Sequence, residues 1–411
     1  MVAEALSMAA NVAGACAALV TLPGTIELAA LTLAGSLPRK RLRAGGSAGR
    51  RLRLAVLVPA HDEEAVIERT LESLARCRLQ DEDLAVVVVA DNCTDATAER
   101  AAARGARVLR RDDPDRPGKG HALAHAFGLL LKEGYEAFLV LDADSVLDPH
   151  APALVREALA GGADALQLRD VVLNPGASGR TRLMNVAFLA FNVLRPLGRD
   201  RLGLSAGILG NGFVLPARTL RAVPWRAGSV VEDLEYHLML IRSGRRVRFV
   251  DGASVGAEMP TGAGTARSQR ARWEGGRLRL LRREGPALLR DALGGRGRLW
   301  EPLLDLLTLP LGYHALLLAA AGVAPFPPAR WLGLAGLAVL ALHVLAGLAV
   351  GGGRLRDLLA LLQVPTYVAW KLRGVAETLR AARGRARWVR TARERPGAPA
   401  PIAGSSARTG P

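Results

Sequence analysis

The middle of the chain alternates short apolar runs with amphipathic stretches, and few architectures accommodate that alternation. Residues 52–59, 84–90, 106–109 and 137–141 are apolar and rich in Val, Leu and Ala, the composition of strands buried on both faces. Between them, residues 63–75, 95–104 and 119–132 carry helical spacing. Strands joined by helices predict an α/β domain with a mostly parallel sheet covered on both sides, over residues 50–298. In such sheets ligands bind beyond the carboxyl ends of the strands, so chemistry is expected in whatever follows each strand.

Three strand ends carry polar or acidic groups: Pro59-Ala60-His61-Asp62-Glu63-Glu64, Asp91-Asn92-Cys93-Thr94-Asp95 and Asp142-Ala143-Asp144. None carries the Gly-rich dinucleotide fingerprint, which argues against a dehydrogenase. Asp142 and Asp144, one residue apart, suit a hard cation such as Mn2+ or Mg2+, which also coordinates phosphates. The plainer reading is a surface turn with capping acids. Asp91 is placed to accept from the N–H of a base, whereas Asp95 is expected to cap the next helix. Pro117-Gly118-Lys119-Gly120 opens a helix, where close backbone approach, the helix N-terminus and the Lys119 charge suit a phosphate or a nucleoside; the alternative is an ordinary turn with a solvated lysine. Glu232 and Asp233 begin another helix. Asp233 can deprotonate an acceptor hydroxyl, and both acids would equally complement a helix dipole. In Gln269-Arg270-Ala271-Arg272-Trp273, Arg272 can pair with a diphosphate and Trp273 offers a flat face to a sugar; an amphipathic helix beside a membrane would look the same.

The flanks differ in kind. Residues 8–37 are apolar apart from polar interruptions that include Glu27, long enough to cross a hydrocarbon core of about 30 Å. Glu27 is costly at mid-depth and is expected near an interface or paired with another helix. Arg39, Lys40, Arg41 and Arg43 follow, which orients the N-terminus outward and the α/β domain towards the cytoplasm. Residues 303–323 and 331–350 are apolar, with His314 and His343 inside them and a Pro-rich turn between, and predict a transmembrane hairpin. Residues 355–374 are mixed and predict a helix lying on the membrane surface, with a fourth span as the alternative. Residues 375–411 form a basic tail. The divisions are thus 1–38, 50–298, 303–350, 355–374 and 375–411, in a multi-pass protein of an inner or plasma membrane.

The net charge of +17 admits nucleic acid or an anionic membrane as partner. Arginines flank the apolar segments, and no zinc-finger or RNA-recognition signature accompanies them, so membrane lipids are expected and nucleic acid is not. Cys16, Cys77 and Cys93 fit no disulfide or metal spacing, which suits a reducing compartment.

In their order along the chain, Val58-Pro59-Ala60-His61-Asp62-Glu63-Glu64, Asp91, Gly118-Lys119-Gly120, Asp142-Ala143-Asp144, Gly210-Asn211-Gly212, Glu232-Asp233 and Gln269-x-x-Arg272-Trp273 resemble a family 2 glycosyltransferase of the cellulose-synthase-like kind. The resemblance covers residues 52–283. It implies a GT-A-like fold and inverting transfer from a nucleotide-diphosphate sugar, usually a UDP-sugar, to a glycolipid or polysaccharide. It assigns nucleotide contacts to Pro59, His61, Glu63, Asp91 and Asp142, with Lys119 beside them, and metal binding to Asp144. Asp233 becomes the general base, and Glu232, Gln269, Arg272 and Trp273 face the diphosphate or acceptor. His61-Asp62-Glu63 departs from the family, which often has Asn before the Glu, and leaves the donor open. Gln-x-x-Arg-Trp also occurs in processive polymer synthases, but three or four spans are few for a polymer channel, so single transfer is favoured. A nucleotidyltransferase would need a Gly-rich loop after the first strand, and a non-catalytic scaffold would be expected to have lost one of the acids.

Overall fold

In the computed structural model of the chain, residues 2–38, 52–79, 81 and 83–383 are described. The basic stretch at 39–43 and most of the basic tail lie outside them. The strands are β1 (Leu54–Ala60), β2 (Ala85–Asp91), β3 (Arg107–Arg111), β4 (Ala137–Val140), β5 (Val146–Leu147), β6 (Ala165–Val172), β7 (Phe213–Pro216) and β8 (Val247–Ala257). They form one sheet in the order β3-β2-β1-β4-β7-β6-β8-β5. β3, β2, β1 and β4 run parallel, as do β6 and β8; β7 is antiparallel to both its neighbours, and β5 is antiparallel to β8. The result is the mostly parallel, GT-A-like α/β arrangement expected.

The unbroken apolar runs are explained by burial on two faces. Leu54, Val56 and Val58 of β1 pack under Ile67, Leu71 and Leu74. Ala55 and Leu57 point the other way, towards Leu123, Phe127 and Leu130. The period of two along a strand sends alternate residues to opposite layers. The covering helices are α2 (Ile67–Arg78), α3 (Thr97–Ala103), α4 (Lys119–Leu130) and α5 (Ala151–Ala160), preceded at the N-terminus by α1 (Val2–Ser36). α2 begins four residues later than the periodicity places it, because the backbone N–H of Glu63 is donated to Thr97 Oγ1 at 2.7 Å and the chain turns before the helix starts.

After β6 come α6 (Gly179–Phe188), a π-helical stretch Leu189–Leu194 and α7 (Arg195–Arg201). α8 (Ala217–Ala222) and α9 (Glu232–Arg242) follow β7, and the long α10 (Ala263–Leu293) follows β8. The chain ends in α11 (Trp300–Leu307), α12 (Leu311–Gly322), α13 (Pro327–Gly351), a 3-10 helix Leu355–Gln363, α14 (Val364–Arg373) and α15 (Val375–Arg383).

The apolar flanks meet each other: α1 packs against α7, α12 and α13. Thr25 and Thr32 on α1 hydrogen-bond His314 and His343 at 3.1 and 2.7 Å, so both histidines serve helix contact. Glu27 is buried and paired as expected, receiving Arg199 Nη2 at 2.8 Å and the Thr308 hydroxyl at 2.7 Å. Among the described residues, Glu4–Ser36 and Pro327–Gly351 are long and apolar enough to cross a membrane. The span expected over 303–323 is bent: α11 and α12 meet at 82°, as a broken span or a re-entrant loop. Pro310, at the start of α12, has no N–H to continue the preceding helix. Residues 355–374 form no long apolar helix either; Leu355, Leu359 and Leu362 are exposed on the 3-10 turn.

Phe138 is fully buried at the centre of the sheet, edge-on to Phe127 at 5.4 Å. Phe138→Ala is expected to remove about 3–5 kcal/mol of stability, read by chemical denaturation of the detergent-solubilised chain. A loss below about 1 kcal/mol would mean that the site collapses around the cavity.

Candidate active site

The carboxyl ends of β1, β2 and β4 open into a cavity of about 2080 Å³. That is well above the several hundred Å³ of a single small-molecule pocket, and leaves room for two substrates. Its wall includes all twelve residues singled out by sequence: Pro59, His61, Glu63, Asp91, Lys119, Asp142, Asp144, Glu232, Asp233, Gln269, Arg272 and Trp273.

The first two strand ends are knitted together by left-handed residues. Asp62 and Asn92 both have φ near 51°, two residues beyond β1 and one beyond β2 respectively. The Asp62 carboxylate accepts from the N–H groups of Thr94 and Asp95 at 2.7 and 3.3 Å, and Asn92 Oδ1 accepts from the Asp113 N–H at 2.7 Å. Such uncommon backbone conformations persist where surrounding contacts hold them. Asp62, Cys93 and Asp95 come within 4.8 Å of one another. The two carboxylates already accept bonds of this turn, including that from the Thr97 N–H to Asp95 at 2.9 Å. Asp95, expected to be the cap, lies one residue before the N-cap Ala96 and accepts from the first N–H of α3.

Asp91 is more heavily engaged than the sequence suggests. Its carboxylate forms a buried salt bridge with Arg111 and accepts from the Gly118 N–H at 3.0 Å. His61 Nδ1 donates to the Asp91 carbonyl at 2.7 Å, which holds the imidazole at the cavity wall. Asp91 thus ties β2 to β3 and to the turn that opens α4. Gly120 is required there because a methyl group on it would meet the Ala227 carbonyl at 2.5 Å.

Lys119 is the hub. Its ammonium bonds the Asp142 carboxylate and the Gly210 carbonyl. A methyl group on Gly210 would lie 3.1 Å from Asp233 Oδ2, so the Asp233 carboxylate abuts the same turn. Asn211 accepts from the Asp142 N–H at 3.1 Å and donates to Ser145 at 3.0 Å, fixing the strand end between Asp142 and Asp144. Burial works against the Lys119 charge, yet Asp142, Glu232 and Asp233 hold its pKa above the ordinary lysine value. Burial, reinforced by the Asp233 charge, pushes Glu232 up to about 8. Burial also raises Asp233, against the Leu234 N–H and Lys119. Burial raises Asp170 as well, with Asp142 and Asp144 adding repulsion.

Gln269, Arg272 and Trp273 come from α10. Trp273 is 41% exposed, so its ring is available to a ligand. Sequence reading missed Arg111, Asn192 and Asp170. Asn192 donates to Asp170 at 3.1 Å. Asp170 had a signal, since it lies near the end of an apolar run as Asp91 does. Arg111 had none in so Arg-rich a chain.

The profile described as "Glycosyltransferase like family 2" matches residues 51–276. The chain belongs to this family. Among curated relatives of this family 2 chain, the "Probable glycosyltransferase YdaM" of Bacillus subtilis is 26% identical over 54% of the chain and 55% of its own length. The glucosyl-3-phosphoglycerate synthase of Mycobacterium tuberculosis is 31% identical over 44% and 58%. The beta-monoglucosyldiacylglycerol synthase of Nostoc is 27% identical over 62% and 55%. The chain therefore spans a little over half the length of these relatives. The mannosyltransferase PcManGT of Pyrobaculum calidifontis, solved with GDP-Man and Mn2+, is 17% identical, with 89% of this chain and 97% of that one covered and a TM-score of 0.49.

Arg111→Ala would leave Asp91 buried without its cation, and is expected to cost about 3–5 kcal/mol by denaturation. A cost below about 1 kcal/mol would show that Asp91 does not depend on the pair.

Proposed function

We propose that the protein is a membrane-bound inverting glycosyltransferase that moves a sugar from a nucleotide-diphosphate donor, in first place a UDP-sugar, to an amphiphilic or polysaccharide acceptor. The observation that carries this reading is the convergence of Asp91, Asp142, Asp144 and Asp233 on one cavity around Lys119. Relatives named for glucosyl products, one of them a monoglucosyldiacylglycerol, point the same way.

Each side chain has a role in this reading. His61, Glu63 and Asp91 hold the base and ribose at the ends of β1 and β2. Lys119, at the N-terminus of α4, faces the phosphates together with Arg272. Asp233 lies against Gly210 and takes the proton from the acceptor hydroxyl, while Trp273 stacks on a sugar ring. Burial and the Asp233 charge raise Glu232, which favours its protonated form as a hydrogen-bond donor beside Asp233. Processive synthesis is the weaker alternative, since two to three apolar spans enclose little room for a polymer channel.

The acids fit a divalent cation. Burial raises Asp170, and repulsion from Asp142 and Asp144 adds to it, with Lys119 as the cation that offsets them. Oxygen donors of this kind suit Mn2+ or Mg2+. Asp144, with Asp142 beside it, would hold the ion, which when bound neutralises charge on the leaving diphosphate.

The membrane assignment rests on Glu4–Ser36 and Pro327–Gly351, with the bent α11–α12 pair as a third crossing or a re-entrant element. In this arrangement residues 50–298 are cytoplasmic, and residues 355–374 lie at the surface with Leu355, Leu359 and Leu362 towards lipid.

UDP with Mn2+ is expected to raise the thermal midpoint of the purified chain more than UDP alone. Asp144→Asn should abolish that metal-dependent increment, and an undiminished increment would remove Asp144 from the metal site. Asp233→Asn should leave UDP binding intact and lower kcat by about 10²-fold or more. Because burial raises Asp233 from 3.8, and the base works ionised, kcat should fall as pH drops through a value above 3.8. An acid limb at or below that value, or one that persists in Asp233→Asn, would exclude Asp233 as the base.

A further inference from the structure

The cavity does not end at the acids. It continues past α9 to the apolar helices, where Leu311, Ala315, Leu340 and Val344 line it. Arg195, the first residue of α7, stands at this junction and also lines it. Its side chain is 2% exposed. Among the described residues its sole ion pair is with Asp305 at 3.9 Å, too long for a hydrogen bond, and its Nε is buried without a partner. The Phe191 ring packs against the guanidinium at 4.9 Å. The π-helical turn Leu189–Leu194 delivers both residues to the wall; such turns widen a helix and recur at functional sites.

Glu27 and Asp305 favour the Arg195 charge, but both hydrogen-bond another cation instead. Arg199, one turn on, takes Glu27, Glu301 and Asp305, and Arg277 takes the other oxygen of Asp305 at 3.1 Å. Burial opposes the Arg199 charge, yet Glu301, Asp305 and Glu27 hold its pKa well above the ordinary value. Burial pushes Arg195 the other way, down to about 10. A buried guanidinium whose Nε has no partner is costly to keep, and a guanidinium fork matches the oxygens of a phosphate.

We infer that Arg195 is the centre of a second subsite in this cavity, one that binds the phosphate group of an amphiphilic acceptor whose apolar chain lies between α12 and α13. The word acceptor rests on the transferase reading; the phosphate site does not.

The test uses the full chain in a neutral detergent. Dodecyl phosphate is titrated by thermal shift, with inorganic phosphate and dodecyl maltoside as the other arms and UDP with Mn2+ as an independent check. Dodecyl phosphate is expected to bind saturably, inorganic phosphate at least about tenfold more weakly, and dodecyl maltoside to give no saturable shift. Arg195→Met should weaken dodecyl phosphate by at least about tenfold and leave UDP affinity within about twofold. It should also raise the thermal midpoint of the unliganded chain, since it removes an unsatisfied buried charge.

Absent dodecyl phosphate binding, or unchanged affinity in Arg195→Met, overturns the proposal. A lowered midpoint with unchanged phosphate affinity makes Arg195 part of the scaffold and overturns it too. Equal affinity for inorganic and dodecyl phosphate overturns the amphiphilic source. Failure of the native chain to bind UDP sinks the transferase reading and leaves the phosphate result to stand or fall alone. If Arg195→Met does not fold, Arg195→Lys keeps the charge without the planar fork; it should bind at least about fivefold more weakly, and native affinity there would overturn the subsite.

Discussion

Carboxylates crowd the exit edge of one sheet, and the Lys119 ammonium holds the centre of that crowd. It joins Asp142 at the end of β4 to the Gly210 carbonyl, and the same turn abuts Asp233. Three separate parts of the chain are thereby fixed relative to one another. Burial, together with their mutual repulsion, displaces Asp170, Glu232 and Asp233 upward. A site that concentrates negative charge in this way is poised for a cation and an anionic ligand together.

The sheet makes that concentration possible. β1, β2 and β4 are parallel, so their carboxyl ends open on one side, and their buried apolar runs leave polar residues only where the runs stop. The second framework is the ion cluster of Glu27, Arg199, Glu301 and Asp305. It anchors α1 to α7 and α11, and so ties the apolar helices to the domain that carries the site. The cavity runs between these two frameworks, from Asp144 to the walls of α12 and α13.

Much of the site was legible because its residues sit at strand ends and helix starts, positions that periodicity exposes. Asp142-Ala143-Asp144, Lys119 and Asp233 are of this kind. Arg111 and Arg195 were not legible, because arginine is abundant in the chain and neither residue stands in a local pattern. Asp91 was only half legible: its position was read, but not its salt bridge with Arg111, which depends on β3 pairing with β2 as far as Asp91. The 82° bend between α11 and α12 was hidden by a mostly apolar composition that masked the consequence of Pro310.

The sequence by itself determined the α/β class, the order of the strand-end motifs, the membership of the chain in a transferase family and the partnered state of Glu27, because each follows from local period, burial cost or motif order. The tertiary structure alone decided that β7 inserts antiparallel between β4 and β6, that Arg199 is the partner of Glu27, and that the Nε of Arg195 is left without a partner. Those outcomes depend on which surfaces meet across separations from 46 residues (Gln167 to Phe213) to 172 residues (Glu27 to Arg199), and no local pattern encodes the meeting of two distant segments.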